Sequence, residues 1–324
     1  MKKRTLWSLL LIFSLLLAAC GSDEAGGKTD DYPNKTIQFI VPWDAGGDSD
    51  AINRIIAEEL EKELGQTVVV KNIAGASGVI GAQEALTAKP DGYTILAVHD
   101  SVTMSELTGQ ADFGFSDFEP IAMMTSTYDA IATHPDNPWN SMEELVEDAK
   151  KNPGKISYAA SIGSTSQLDP ALIQTASDIE FNIVGFDGTA QRMKAVVGND
   201  VDLGSVSVAA GKDYISSNRM KLLGYAGEER NPELPDVPTL KEQGIDVVTG
   251  TNRGVAAPKD TPEEMIKRLS DALEKVANND SFKNRIEEMG TDVNFKNTEE
   301  YTEFIKISEE TMKKSLENSG LLKK

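Results

Sequence analysis

The sequence predicts an α/β protein with material for two lobes, and three observations predict it. Short apolar runs alternate with amphipathic helical stretches along the chain. The turns from strand to helix are rich in Gly, Ser and Asp. At 324 residues, the chain is long enough to close two cores.

The first element is not part of the fold. Lys2, Lys3 and Arg4 precede an apolar run, Leu6–Ala19, that ends in Leu17-Ala18-Ala19-Cys20. A basic start, a short apolar stretch and small residues before the cut mark an export signal. The run falls short of the roughly 20 apolar residues that cross a bilayer. Leu-Ala-Ala-Cys resembles a bacterial lipobox, so Cys20 is expected to become the lipid-modified first residue. The protein would then sit outside the cytoplasm, anchored to the outer face of the cell membrane. Residues 20–31 read as a flexible tether, because Gly21–Asp31 carries no apolar side chain larger than Ala25. Cys20 is the only cysteine, so a lipidated chain has no thiol left for a disulfide.

Beyond the tether, Ile37–Val41 reads as a strand and about Asp50–Leu64 as a helix. Asp48, Ser49 or Asp50 is expected to cap that helix, and Gly65 to end it. Thr67–Val70 is a strand, about Gly78–Ala88 a helix and Tyr93–Val98 a strand. Ser141 with Glu144 forms a capping box for a helix over 141–151, which Pro153 stops. Strands then fall at Ile156–Ala159, Asn182–Phe186, Val201–Val206 and Lys221–Tyr225. Between them lie helices at about Gln167–Ser177, Thr189–Val197 and Ala209–Ser217, with Pro170 tolerated in a first turn. After the proline-rich turn Asn231–Pro238, Arg253–Ala257 returns as a strand. Helices near Pro262–Ala277, Asp280–Met289 and Thr298–Leu316 end the chain. Turn composition at Thr133–Asn140 and Val247–Asn252 suggests two crossings between lobes. One lobe would hold 32–135 and 251–324, and the other 136–250.

Composition narrows the function. Removing the leader takes away three cations and no acids, so the net charge falls from −20 to −23. Nucleic acid is excluded as a partner, because phosphate binding needs a basic surface. With only His99 and His134, a His-rich metal site is ruled out, and no cofactor is expected. His99-Asp100-Ser101 spells the letters of a triad, but adjacent residues on a strand point to opposite faces. No G-x-S-x-G is present, and Gly75, Gly78 and Gly81 match neither a dinucleotide fingerprint nor a P-loop. An enzyme is therefore not expected.

Four turns carry the distinctive residues: Ala45–Asp50, Gly75–Gly78, Ser161–Gln167 and Asp187–Thr189. In an open α/β sheet, ligands lie beyond the carboxyl ends of the strands. There, backbone amides, hydroxyls and helix N-termini hold a carboxylate without Lys or Arg.

The order and spacing of several segments resemble the extracytoplasmic solute receptors of the tripartite tricarboxylate transporter system, the Bug or TctC family. These are Tyr32-Pro33-Asn34-Lys35, Val41-Pro42, Ala45-Gly46-Gly47, Leu64-Gly65-Gln66 and Pro90-Asp91-Gly92-Tyr93-Thr94. Asp117-Phe118-Glu119-Pro120, Gly163-Ser164-Thr165-Ser166, Leu234–Thr239 and Ala257-Pro258 continue the pattern. The resemblance implies a periplasmic-binding-protein-like, Venus-flytrap fold, with two lobes closing on a small organic anion. By position, Gly46, Gly47, Ser49, Ser164, Thr165 and Ser166 inherit its carboxylate site. Asp48, Ser77, Ser101, Ser161, Phe186, Asp187, Gly188, Thr189 and Ser207 complete the candidate pocket. The implied partners are a carboxylate or amino-acid ligand and integral-membrane transporter subunits, served by a monomeric receptor. A ligand sensor feeding a signalling partner, and an exported hydrolase, are the alternatives. Acids at Asp48 and Asp187, where the family carries uncharged or basic residues, favour a monocarboxylate or zwitterion over a tricarboxylate.

Overall fold

Strands and helices alternate from the start of the folded body, because each apolar run is followed by a turn and a one-sided helix. The computed structural model describes residues 32–161, 164–186, 189–318 and 322–323. The export signal, Cys20 and the tether lie outside these residues, as do Asp187 and Gly188. Strand β1 (Ile37–Val41), helix α1 (Asp48–Leu64), strand β2 (Val68–Asn72), helix α2 (Val79–Leu86) and strand β3 (Thr94–His99) form two successive βαβ units. β1 lies between β2 and β3, parallel to both. Helix α3 (Ser101–Leu107) leads to β4 (Phe118–Thr133), a strand of 16 residues.

The second set runs α4 (Met142–Lys151), β5 (Ser157–Ala160), α5 (Leu168–Ser177), β6 (Asn182–Gly185) and α6 (Thr189–Val197). It continues through β7 (Leu203–Ser207), α7 (Val208–Ser216) and β8 (Lys221–Tyr225). Strand β9 (Gly250–Pro258) then returns to the first set, followed by α8 (Glu263–Asn278), α9 (Asp280–Glu287), β10 (Asp292–Lys296) and α10 (Thr298–Asn318).

The strand order is β2-β1-β3-β9-β4-β7-β5-β6, with β8 and β10 also paired to β4. β4 is shared. Its residues 118–128 pair with β9, while residues 129–133 pair with β7 and β8. The change of partner falls between Tyr128 and Asp129. Each side of it closes its own core. Ile40, Leu96, Phe118, Met123 and Tyr301 fill one, and Leu145, Tyr158, Phe181 and Leu203 fill the other. Each such side chain contributes roughly 1.5–3 kcal/mol on burial, so each lobe has its own hydrophobic support.

Local signals explain most boundaries. Gly65 closes α1 in the left-handed region at φ 66°, its N–H on the Glu61 carbonyl. Ser141 Oγ accepts the Glu144 N–H, as a capping box requires. The Glu144 carboxylate, however, reaches one residue further back, to the Asn140 N–H at 2.7 Å. α1 departs from expectation at its start: Gly47 is the cap and no side chain caps it. Asp50 turns back to accept the Gly46 N–H instead, which ties down the turn rather than the helix end. Three elements not expected from the sequence are α3, β4 and β10. Among the described residues no helix is long and apolar enough to cross a membrane.

Candidate functional site

β4 and β9 run side by side where the two sheets meet, and side chains alternate across a strand. Thr127 and Asp129 of β4, with Thr251 and Arg253 of β9, face a cleft of about 940 Å³. Tyr128, Gly250 and Asn252 face a separate groove behind it. The turns after β1, β2, β3 and β5, the ends of β6 and β7, and Arg192 of α6 supply the rest of the lining.

From the first lobe, Gly47, Asp48 and Ser49 line the cleft, together with Trp43 and Asp44. Gly46 does not line it, and its N–H is taken by Asp50 Oδ2 at 2.8 Å. That carboxylate also accepts Arg54 Nε at 2.9 Å and Asn72 Nδ2 at 2.8 Å. Asn72 in turn donates to the Trp43 carbonyl, so one buried acid fixes the whole turn. Burial alone would raise the Asp50 pKa; the hydrogen bonds from Arg54, Gly46 and Asn72 outweigh it and hold the carboxyl below its ordinary value.

Ser77 reaches the cleft from a single turn, Ala76–Gly78, in which its own φ is 56°. Ser101 lies at the start of α3, its Oγ buried and without a hydrogen-bond partner. The Ser101 N–H donates to His99 Nδ1 at 3.0 Å, so Nε2 carries the imidazole proton. Burial, with the nearby Arg253 charge, keeps the His99 pKa well below its ordinary value. Its ring stacks on Trp43, centroids 4.0 Å apart. Asp100 points the other way and accepts the Asn252 N–H and Nδ2 at 2.9 and 3.2 Å. The three letters of a triad therefore diverge, as expected for successive residues.

From the second lobe, Ser161, Ser164, Thr165 and Ser166 all line the cleft. Their hydroxyls bind one another and a cation. Ser164 Oγ lies 2.9 Å from Ser166 Oγ, and Arg192 Nη1 donates to Ser161 Oγ at 3.0 Å and Ser166 Oγ at 2.6 Å. Phe186 and Ser207 also line it; the Ser207 side chain in addition caps α7. Asp187 and Gly188 lie outside the described residues, and of Thr189 only its place at the start of α6 is known.

The expectation of a site without cations is corrected by the geometry. Arg192 and Arg253 are both buried and both line the cleft, one from each lobe. Arg253 Nη1 donates to Thr127 Oγ1 at 2.6 Å, and its Nε reaches Ser49 Oγ at 3.5 Å. Burial lowers the Arg253 pKa to about 10 against the pull of Asp48, Asp129 and Asp100, so it stays charged at neutral pH. Asp129, Ser205, Thr127, Thr251, His99 and Trp43 are further lining residues that no turn motif marked. Asp129 is pushed up to about 7 by burial and by the nearby Asp169 carboxylate, despite the opposing pull of Arg192 and Arg253. Among the described residues, no cluster of three His, Cys, Asp or Glu side chains is placed to hold a metal.

Two α/β lobes joined by shared strands, with a polar cleft at the joint, define a solute-binding receptor of the periplasmic-binding-protein type. A solved TctC solute-binding protein from Polaromonas, without ligand, has the same fold at a TM-score of 0.78. It is 30% identical, and the match covers 89% of this chain and 99% of that one. The periplasmic binding protein BugD is similar at a TM-score of 0.73 and 32% identity, over 90% of this chain and all of its own. A curated relative from Cupriavidus necator, the UPF0065 protein in the gbd 5′ region, is 30% identical over 92% of both chains. Residues 52–321 match the family model described as the tripartite tricarboxylate transporter family receptor, TctC, and the chain belongs to that family. Its members are extracytoplasmic binding receptors rather than enzymes.

Proposed function

We propose that the protein captures a small carboxylate-bearing solute in this cleft and delivers it to the integral-membrane subunits of a tripartite tricarboxylate-type transporter. The observation that carries the reading is the pair of buried guanidinium groups, Arg192 and Arg253, set among hydroxyls on opposite lobes. A guanidinium offers a carboxylate two parallel donors, and burial strengthens each. The Ser161 and Ser166 hydroxyls hold Arg192 in place, and Thr127 holds Arg253. In this reading Gly47, Ser49, Ser77, Ser101, Ser164, Thr165, Phe186 and Ser207 complete the ligand's surroundings. Asp48 acts on Arg253 and is not a pocket for a ligand cation. Two fixed cations favour a small dicarboxylate over the monocarboxylate or zwitterion that Asp48 and Asp187 suggested.

Closure follows from the shared strands. We take lobe 1 as 33–128 with 250–324 and lobe 2 as 129–249, turning about β4 and β9 to bring the two arginines onto one ligand. Saturating ligand is then expected to lower the radius of gyration in solution scattering; an unchanged curve overturns closure. The mature receptor would be a monomer held by a lipid on Cys20, so Cys20→Ala is expected to release it or leave the precursor uncut. Normal processing and membrane retention of that variant would overturn the anchor.

Calorimetric titration with succinate, adipate, malate, aspartate and citrate tests the ligand class. Binding of at least one, weakened by about 100-fold in Arg253→Met, is expected. Binding that survives unchanged in both Arg253→Met and Arg192→Met overturns the reading.

A further inference from the structure

Asp129 is the first residue of β4 past the change of sheet, paired to Ser207 of β7, and its side chain enters the cleft. Charged and titratable groups from several elements act on it or feel it. Arg192 comes from α6, Arg253 from β9 and Asp169 from α5, with the Tyr158 phenol of β5 and the Tyr225 phenol of β8 nearby. Asp48 of α1 acts on the same Arg253. Ser205 and Ser207 of β7 bring no charge. Buried acids of this protein accept hydrogen bonds: Asp50 from Gly46, Asp100 from Asn252, Asp169 from Thr249. Among the described residues, neither carboxylate oxygen of Asp129 accepts one. An acid left without donors, between two cations in a ligand cleft, lacks what a ligand would bring.

We propose that Asp129 sets which carboxylates the cleft accepts: a ligand with a hydroxyl or ammonium donor bonds to it directly, whereas an unsubstituted dicarboxylate binds only together with a proton. The proposal rests on the carboxylate-receptor reading and refines it. Once ligand carboxylates engage Arg192 and Arg253, those charges no longer hold Asp129 ionised. A ligand donor replaces their effect by hydrogen-bonding the carboxylate. A ligand without one leaves two like charges facing each other in a half-buried site, and protonation relieves that repulsion. Burial and Asp169 already bring the Asp129 pKa to about 7 in the free protein, so that proton is within reach at neutral pH.

The test compares succinate with malate and aspartate, which differ from it by one donor group. Each is titrated calorimetrically from pH 6 to pH 9, in two buffers of different ionisation heat, against wild type and Asp129→Asn. Above neutrality, succinate affinity for the wild type is expected to fall by up to about tenfold per pH unit, with up to about one proton taken up. Malate and aspartate affinities should change by less than about twofold per unit, without proton uptake. In Asp129→Asn the succinate slope should vanish and the three ligands should become nearly equivalent. A flat succinate profile in the wild type, or a slope that survives in Asp129→Asn, overturns the proposal. If none of the three binds, and adipate and citrate do not either, the carboxylate-receptor reading fails instead. Asp129 is then judged on the free protein by carboxyl NMR titration. A midpoint near 7 that is missing in Asp129→Asn sustains its readiness to take a proton, and a midpoint near that of an ordinary aspartate removes it.

Discussion

Asp129 lies in the cleft and Asp50 behind a turn that lines it, and the two aspartates have opposite surroundings. Asp50, buried behind the first-lobe turn, receives donors from Gly46, Arg54 and Asn72. Asp129, between the lobes, feels two arginines but receives no hydrogen bond among the described residues. The first arrangement spends its polar capacity inside the protein and yields a rigid turn. The second leaves capacity unused, which costs stability and is tolerated where a ligand completes it. Their pKa values move in opposite directions for that reason, Asp50 down and Asp129 up.

Substitutions can break or sharpen this contrast. The largest effect is expected from Arg253→Met, which removes the buried cation facing Asp129. Carboxylate binding should weaken by about 100-fold, close to 3 kcal/mol, in calorimetry, while the protein stays folded. Asp50→Ala should be the mirror image. It should cost about 2–3 kcal/mol in denaturant unfolding, by leaving Gly46, Arg54 and Asn72 without their acceptor.

The third test uses pH. Because the folded Asp50 carboxyl is depressed, its contribution is present above the ordinary aspartate range and is lost as pH falls through its folded value. Asp129 has the reverse sign. With its folded pKa raised to about 7, it weakens the fold progressively as pH climbs from the ordinary range towards neutrality. Asp129→Asn should therefore melt higher than wild type at pH 8 and match it near pH 4. Equal melting curves at both would contradict the unfavourable burial of this charge. The smallest effect is expected from Asp48→Ser. Asp48 is exposed, so removing it should tighten anion binding only by about two- to fivefold, read most clearly at low salt.

The turns were legible in the sequence because Gly, Ser and capping residues act locally. Gly65, Ser141 and the Ser161–Ser166 loop do in the fold much of what their residue types allow. β4 was not legible. It is buried along most of its length, contains Pro120 and has two register shifts against β9, so no alternation marks it. β10 is a five-residue strand paired to β4 alone, with little apolar pattern to announce it. The two arginines carry no local signal of their place. Arg192 sits in an ordinary amphipathic helix and Arg253 in an apolar strand, and nothing within four residues of either reveals that it is buried. Their burial comes from tertiary partners, Ser161 and Ser166 in one case and Thr127 in the other. Asp129 was missed for the same reason, since its role depends on which lobes meet at it.

Trp43 stands at the cleft with its indole against His99, 4.0 Å between ring centres and 15° from parallel. The chain has two other tryptophans. Trp7 lies outside the described residues, and Trp139 is sealed in the second core with its Nε1 bonded to Asp148. One indole is thus exposed to whatever enters the cleft, and the other is shielded from it. The receptor thereby carries its own optical gauge: emission from Trp43 should change as a solute arrives, against a steady background from Trp139, with no dye attached.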